Sequence, residues 1–210
     1  MSAVLVGAGA ASTARSTPAA RLLAMVPLVF AAQQAAEGVI WLTVNEPMHA
    51  TLERAAVYTF LGLALVAWPT LAPLSLRLME TRRARHRPLT KLLAIGVVVS
   101  VVAAILLVRG EPAARIADHS ITYEFGGGAG EARHVVLLAF YAVPTVIPFF
   151  VSTARWARVV GGSLVVSVAI AAFVRHEALT SVWCFFAAIV SVLVVFAVGP
   201  ARLARPERSR

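Results

Sequence analysis

The sequence predicts an all-α integral membrane protein: a bundle of about seven transmembrane helices, N-terminus outside and C-terminus in the cytoplasm. Three observations carry this expectation. The chain is 60% hydrophobic and 14% charged, with a mean hydropathy of +0.82, against about 45–50% apolar and about 25% charged in soluble domains. The charges are clustered, which leaves charge-free runs at 55–76, 92–108, 135–154, 159–174 and 178–201. Lysine and arginine are also distributed unequally between the two ends of the expected crossings. A helix needs roughly 20 apolar residues to cross about 30 Å of hydrocarbon. Runs of this length along the whole chain describe repeated crossings.

Residues 1–14 form the weakest expected helix. They carry no charge, but they span only about 21 Å. They read as the inner part of a longer helix or as a short, poorly anchored one. Ala8-Gly9-Ala10 resembles a signal-peptide cleavage site, but no positive segment precedes it. Helix two is expected from Leu22 to Val44 and helix three from Ala55 to Leu78, with Trp68-Pro69 near its middle and Pro73 beyond. Helix four is expected over 89–108, and helix five over 135–153 with Pro144 and Pro148. Helix six, 159–174, is short, so Arg158 and Arg175 would snorkel to the interfaces. Helix seven is expected over 179–198, ended by Gly199-Pro200. Residues 1–200 thus form one transmembrane domain, and 201–210 a basic cytoplasmic tail suited to anionic lipid.

Placed on alternate sides of these crossings, fourteen of the nineteen basic residues fall on one side and five on the other. The richer side is cytoplasmic by the positive-inside rule. The longest loop, about 109–134, is then external. Within it Ile121–Phe125 alternates as a strand or hairpin arm does, and a glycine-rich stretch follows at 126–130. The net charge of +9 and pI of about 11.3 would suggest nucleic acid in a soluble protein. Here they mark cytoplasmic loops, and no nucleic-acid partner is expected. The partner is the lipid bilayer of the plasma membrane. The lone Cys184 excludes a disulfide within the chain.

Helix two is the informative segment. Phe30, Gln33, Glu37 and Trp41 follow spacings of 3, 4 and 4 and so share one helical face, with Gln34 beside them. Glu37 is the only acid inside an expected crossing. A carboxylate there normally faces the bundle interior or a wet cavity. Helices five and seven run inward, so Tyr141, Trp183 and Cys184 fall in the outer half with Glu37 and Trp41. Trp68 lies near the centre, beside Pro69. The expected ligand-binding set is therefore Gln33, Gln34, Glu37, Trp41, Trp68, Tyr141, Trp183 and Cys184. The 109–134 loop would act as a lid through His119 and Tyr123. The blander alternatives are that the glutamines glue helices together, that Glu37 pairs with an outer arginine, and that Trp41 and Trp183 form an interfacial belt.

The histidines, His49, His86, His119, His134 and His176, all lie in expected loops or at helix ends. None is placed for a haem between helices, and Lys91 is too near the cytoplasmic end for a retinal Schiff base. No cofactor and no metal site is expected. His119, His134 and His176 share the outer side, but without the local spacing of a zinc site.

The block Gln33-Gln34-Ala35-Ala36-Glu37-Gly38-Val39-Ile40-Trp41, together with Trp68-Pro69, Tyr141 to Pro148 and Ser181-Val182-Trp183-Cys184-Phe185, resembles an uncharacterised bacterial multi-pass membrane family of unknown function. The resemblance covers roughly residues 3–200. Members open with a Met-Cys-Phe-Ser-Ala-like segment that lengthens helix one, and it is missing here. The resemblance implies no activity. The leading expectation is a membrane protein that binds, senses or transports a small molecule or ion in an outer-half pocket. The alternatives are a structural subunit of a membrane complex and, ranked lower, an intramembrane metal-dependent hydrolase.

Overall fold

In the computed structural model, residues 2–15, 21–117, 120–125 and 131–174 are described. They form six helices and one hairpin. Helix α1 is Ser2–Arg15. Helix α2 is Arg21–Thr43, with a break at Met25 before Pro27. Helix α3 is Pro47–Met79, α4 is Arg83–Gly110, α5 is Glu131–Val151 and α6 is Arg155–Val174. Strands β1 (Ala113–Ala117) and β2 (Ser120–Glu124) lie between α4 and α5 and pair antiparallel, with Ile116 opposite Ile121. By length and composition, α2, α3 and α4 are each able to cross a membrane, and Ala139–Val151 in α5 is a shorter apolar helix.

Helix α3 is the hub. It packs on α2, α4 and α5, while α1 packs on α2 and α6 on α5. Its course is not regular. An α-helical stretch, Ala50–Leu61, widens into a π-helical one, Gly62–Ala67, and returns to α-helix at Trp68–Met79. The prolines account for the disturbance. Pro69 and Pro73 have no N–H to give to the carbonyls one turn back, and π segments are favoured where that ladder is interrupted. Two carbonyls of the π segment have partners on other helices: Tyr141 donates to the Ala64 carbonyl (2.6 Å) and Ser100 to the Val66 carbonyl (2.6 Å).

The buried side chains form three levels. At the hairpin end Ile40, Val57, Phe60, Leu61, Leu107 and Ile121 cluster. Leu5, Phe30 and Ala31 pack near Trp68 in the middle. Ala72, Leu76, Leu89, Phe149 and Ala157 close the opposite end. The outward face of α4 is apolar as well: Val98 is 63% exposed and Val108 69%. A helix apolar on both its packed and its open faces suits a non-aqueous surrounding.

Four expected starts move by four residues or more. Helix three begins at Pro47 rather than Ala55, helix four at Arg83 rather than 89, helix five at Glu131 rather than 135, and helix six at Arg155 rather than 159. Hydropathy marks the apolar stretch, whereas the helix continues into charged residues such as Glu53 and Arg54, whose side chains reach water. The Ile121–Phe125 arm does form a strand over Ser120–Glu124, and its partner is 113–117. Helix seven and the 201–210 tail lie outside the described residues.

Candidate functional site

Helix α2 presents its polar residues to the bundle, as the 3-4-4 spacing predicts. Gln33 is fully buried, and Glu37, one turn on, is 7% exposed. A carboxylate facing lipid at mid-helix would cost on the order of 3 kcal/mol, and burial against α3 and its neighbours avoids that. The Gln33 Oε1 accepts from Trp68 Nε1 at 3.3 Å. Trp68 in turn stacks on Phe30, with ring centroids 4.5 Å apart. One face of α2 is thereby fixed to the point where the π segment of α3 ends.

Gln33 lies on the same face as Glu37, but it is Gln34 that donates its Nε2 hydrogen to Glu37 Oε2, at 3.0 Å. With Oε1 held by Trp68, the Gln33 amide nitrogen has no acceptor among the described residues, although it is completely buried. A buried N–H₂ without an acceptor costs on the order of 1–3 kcal/mol, so it marks a place where a further oxygen atom would be favourable.

Tyr141 is buried and reaches the π segment through Ala64. Beside it in the same layer, Ser100 bridges α4 to α3 through the Val66 carbonyl and Thr70 Oγ1, the latter at 2.9 Å. The sequence reading did not single out Ser100. The usable signal was its type, since it is the one polar side chain in the charge-free run 92–108. Trp41 follows the stripe but stands near the end of α2, 42% exposed, a position suited to an interfacial belt. Tyr123 stacks on Phe60 at 5.1 Å, and Ile121 beside it is fully buried. The hairpin is thus packed onto the end of α2, α3 and α4 above Glu37. Trp183, Cys184 and His119 lie outside the described residues.

At the opposite end the structure builds a second polar centre, which the sequence reading did not single out. Glu80, in the turn between α3 and α4, is 6% exposed. Its Oε1 accepts from Thr153 Oγ1 (2.7 Å) and from the Arg82 N–H (3.0 Å). Its Oε2 accepts from the Thr153 N–H (2.9 Å) and from Ser152 Oγ (3.3 Å). Burial alone would raise the Glu80 pKa. The four hydrogen bonds, led by the Thr153 N–H, outweigh it and hold the carboxyl below its ordinary value. Its backbone carbonyl also meets His86 Nε2 at 2.9 Å. Glu80 therefore ties the α3–α4 turn to the α5–α6 turn. The legible signal was a single acid within an arginine-rich stretch.

A model of a family of unknown function, DUF6629, matches residues 1–209. No curated protein and no solved structure matches the chain.

Proposed function

Because the chain belongs to this family, which brings no activity with it, we propose a function from the site itself: a multi-pass plasma-membrane protein that binds, senses or transports a small polar molecule or ion at an intramembrane site around Gln33 and Glu37. One observation carries the reading. A buried amide donor without an acceptor among the described residues lies one helical turn from a buried carboxylate on the same face of α2. Two such side chains, with Cβ atoms roughly 6 Å apart, suit a hydroxyl-bearing molecule or a hydrated cation. Gln34 and Trp68 frame the site, and Tyr141 reaches the neighbouring π segment of α3 from α5.

Three long apolar helices and an apolar outer face on α4 support membrane crossing. The Glu80 tie supports the orientation, because it holds two arginine-bearing turns at one end. The hairpin lies at the other end. Glu37 is six residues from Thr43, about 9 Å of helix, which places it in the outer half in this reading. Helix seven would complete the bundle and bring Trp183 and Cys184 to the same level.

A structural role is the second reading, favoured by the Trp68–Gln33 bond and the Phe30–Trp68 stack, which join α2 to α3. The variant Glu37→Gln separates the two. It keeps size and hydrogen bonding and removes charge. Purified wild-type and variant protein in lipid nanodiscs are titrated with Na⁺, K⁺, protons and small polyols, with melting temperature as readout. The binding reading expects a saturable rise for at least one probe in the wild type, lost in Glu37→Gln, with basal melting within about 2 °C. Identical responses of the two proteins to every probe would sink it and leave the structural role.

A further inference from the structure

The arginine-rich end carries a feature that the reading of Gln33 and Glu37 does not use. A pocket of about 280 Å³ opens there, lined by Arg82, Arg85, Phe150, Ser152, Thr153 and Arg158. We propose that this pocket is a binding site for a phosphate group, with the guanidinium groups of Arg82, Arg85 and Arg158 as its ligands.

Three arginines line the pocket and, among the described residues, no acid does. Among the described residues the one ion pair is Arg115–Glu124, in the hairpin at the far end. The acid nearest these arginines in the chain, Glu80, is fully engaged: each of its oxygens accepts two hydrogen bonds, from hydroxyls and backbone N–H groups of Ser152, Thr153 and Arg82. Glu80 thus fixes the walls of the pocket and, among the described residues, makes no ion pair with its arginines. It holds the turn that carries Arg82 against the turn from which α6 and Arg158 start. The Ser152 and Thr153 hydroxyls are spent on Glu80, so the free donors in the pocket are the arginines.

Converging guanidinium groups present paired N–H donors that match phosphate oxygens, and these charge-assisted bonds are the strong ones. Three positive charges around one cavity suit a group carrying up to two negative charges. Phe150 gives the pocket one apolar wall and is 46% exposed. An apolar shelf beside a basic cup fits the headgroup of an anionic lipid, and a free phosphate group shares the same chemistry.

The test uses full-length protein in neutral detergent, titrated with inorganic phosphate, a short-chain phosphatidic acid, or a short-chain phosphatidylcholine as the zwitterionic control. Melting temperature is the readout. The expected result is saturable stabilisation by phosphatidic acid and none by phosphatidylcholine. Arg158→Gln or Arg85→Gln should weaken the apparent affinity by about tenfold. Arg87→Gln, which removes the same charge outside the pocket, should change it less than about twofold. Equal saturation with inorganic phosphate assigns the site to soluble phosphate, and a response to phosphatidic acid alone assigns it to lipid. The proposal is overturned if no phosphate compound gives saturation, or if Arg87→Gln weakens binding as much as Arg158→Gln does. It is also overturned if phosphatidylcholine stabilises equally. Single substitutions keep the comparison valid even if a triple variant fails to fold.

Discussion

Glu80 shows how one side chain can be read once its partners are known. Its carboxylate receives four hydrogen bonds from a turn more than seventy positions away in the chain and from Arg82. Hydrogen bonds to an ionised acceptor contribute about 1.5–3 kcal/mol each where burial is complete, and less at an end open to solvent. Removing the carboxyl in Glu80→Ala should therefore destabilise the protein by about 2–3 kcal/mol at neutral pH. The pH dependence has a definite sign. The folded-state pKa is depressed below the ordinary value of 4.5, so the stabilisation is fully present above that value and is lost as pH falls through the folded pKa. The melting-temperature gap between wild type and Glu80→Ala should accordingly be wide at pH 7 and narrow toward pH 3. A gap that widens on acidification would contradict the assignment. The lone acid of the 77–91 stretch was a legible signal, but its partners were not, because they lie on a distant turn. The burial of Gln33 and Glu37 was legible in advance, because a 3-4-4 spacing encodes a face. The choice of Gln34 over Gln33 as donor to Glu37 was not, because it depends on where the Trp68 indole sits.

At the scale of elements, hydropathy marked the three helices that are long and apolar enough to cross a membrane, α2, α3 and α4, and helix three is disturbed where its prolines lie. They did not foretell how closely α3 and α4 approach. Pro73 cannot donate to the Pro69 carbonyl, and that carbonyl is directed at Gly96 on α4. A methyl group built on Gly96 would overlap the Pro69 carbonyl oxygen and come within 3.3 Å of Pro144 on α5. The three proline- or glycine-bearing helices meet at this point, and only a residue without a side chain fits. Overpacking a site of this kind typically costs about 1–3 kcal/mol. Here backbone meets backbone, so relief requires a shift of a whole helix. Gly96→Ala should lower the melting temperature and weaken the Ser100 links to Val66 and Thr70 one turn further along α4. Gly162→Ala is the matched control, since a methyl there meets nothing within 4 Å. Equal melting temperatures for the two variants would show that α4 can slide at no cost, against the close contact described. Gly96 offers no hint of this in sequence, because one glycine in a valine-rich helix looks like any other until its neighbour is known.

The whole molecule has two unlike ends, and that difference is the physical basis for its orientation. One end carries Arg82, Arg83, Arg85, Arg87, Arg155 and Arg158 on the first turns of α4 and α6 and in the turn before α4, with Glu80 locking the two regions together. The other end carries the hairpin, whose Arg115 is neutralised by Glu124 at 3.1 Å. Arginine-rich segments are retained on the cytoplasmic side during insertion, and the bias is counted over short loops such as these. Residue 128 in the long loop should therefore face outward and residue 85 inward. The test uses the single native cysteine to advantage. In a Cys184→Ser background, Gly128→Cys or Arg85→Cys is exposed to a membrane-impermeant maleimide on intact cells, and a reporter fused after Arg210 reads the tail. The expected pattern is labelling at 128, protection at 85 until the cells are opened, and a cytoplasmic tail. Labelling of Arg85→Cys from outside would invert the molecule. It would move the Gln33–Glu37 site to the inner half and put the phosphate pocket on the external leaflet. Protection at both positions in intact cells, with a cytoplasmic tail, would instead mean that α4 does not cross between residues 85 and 128 and that an even number of crossings follows residue 128. One of helices five, six and seven would then fail to span. The three readouts together therefore determine the orientation and whether the number of crossings after residue 128 is odd or even.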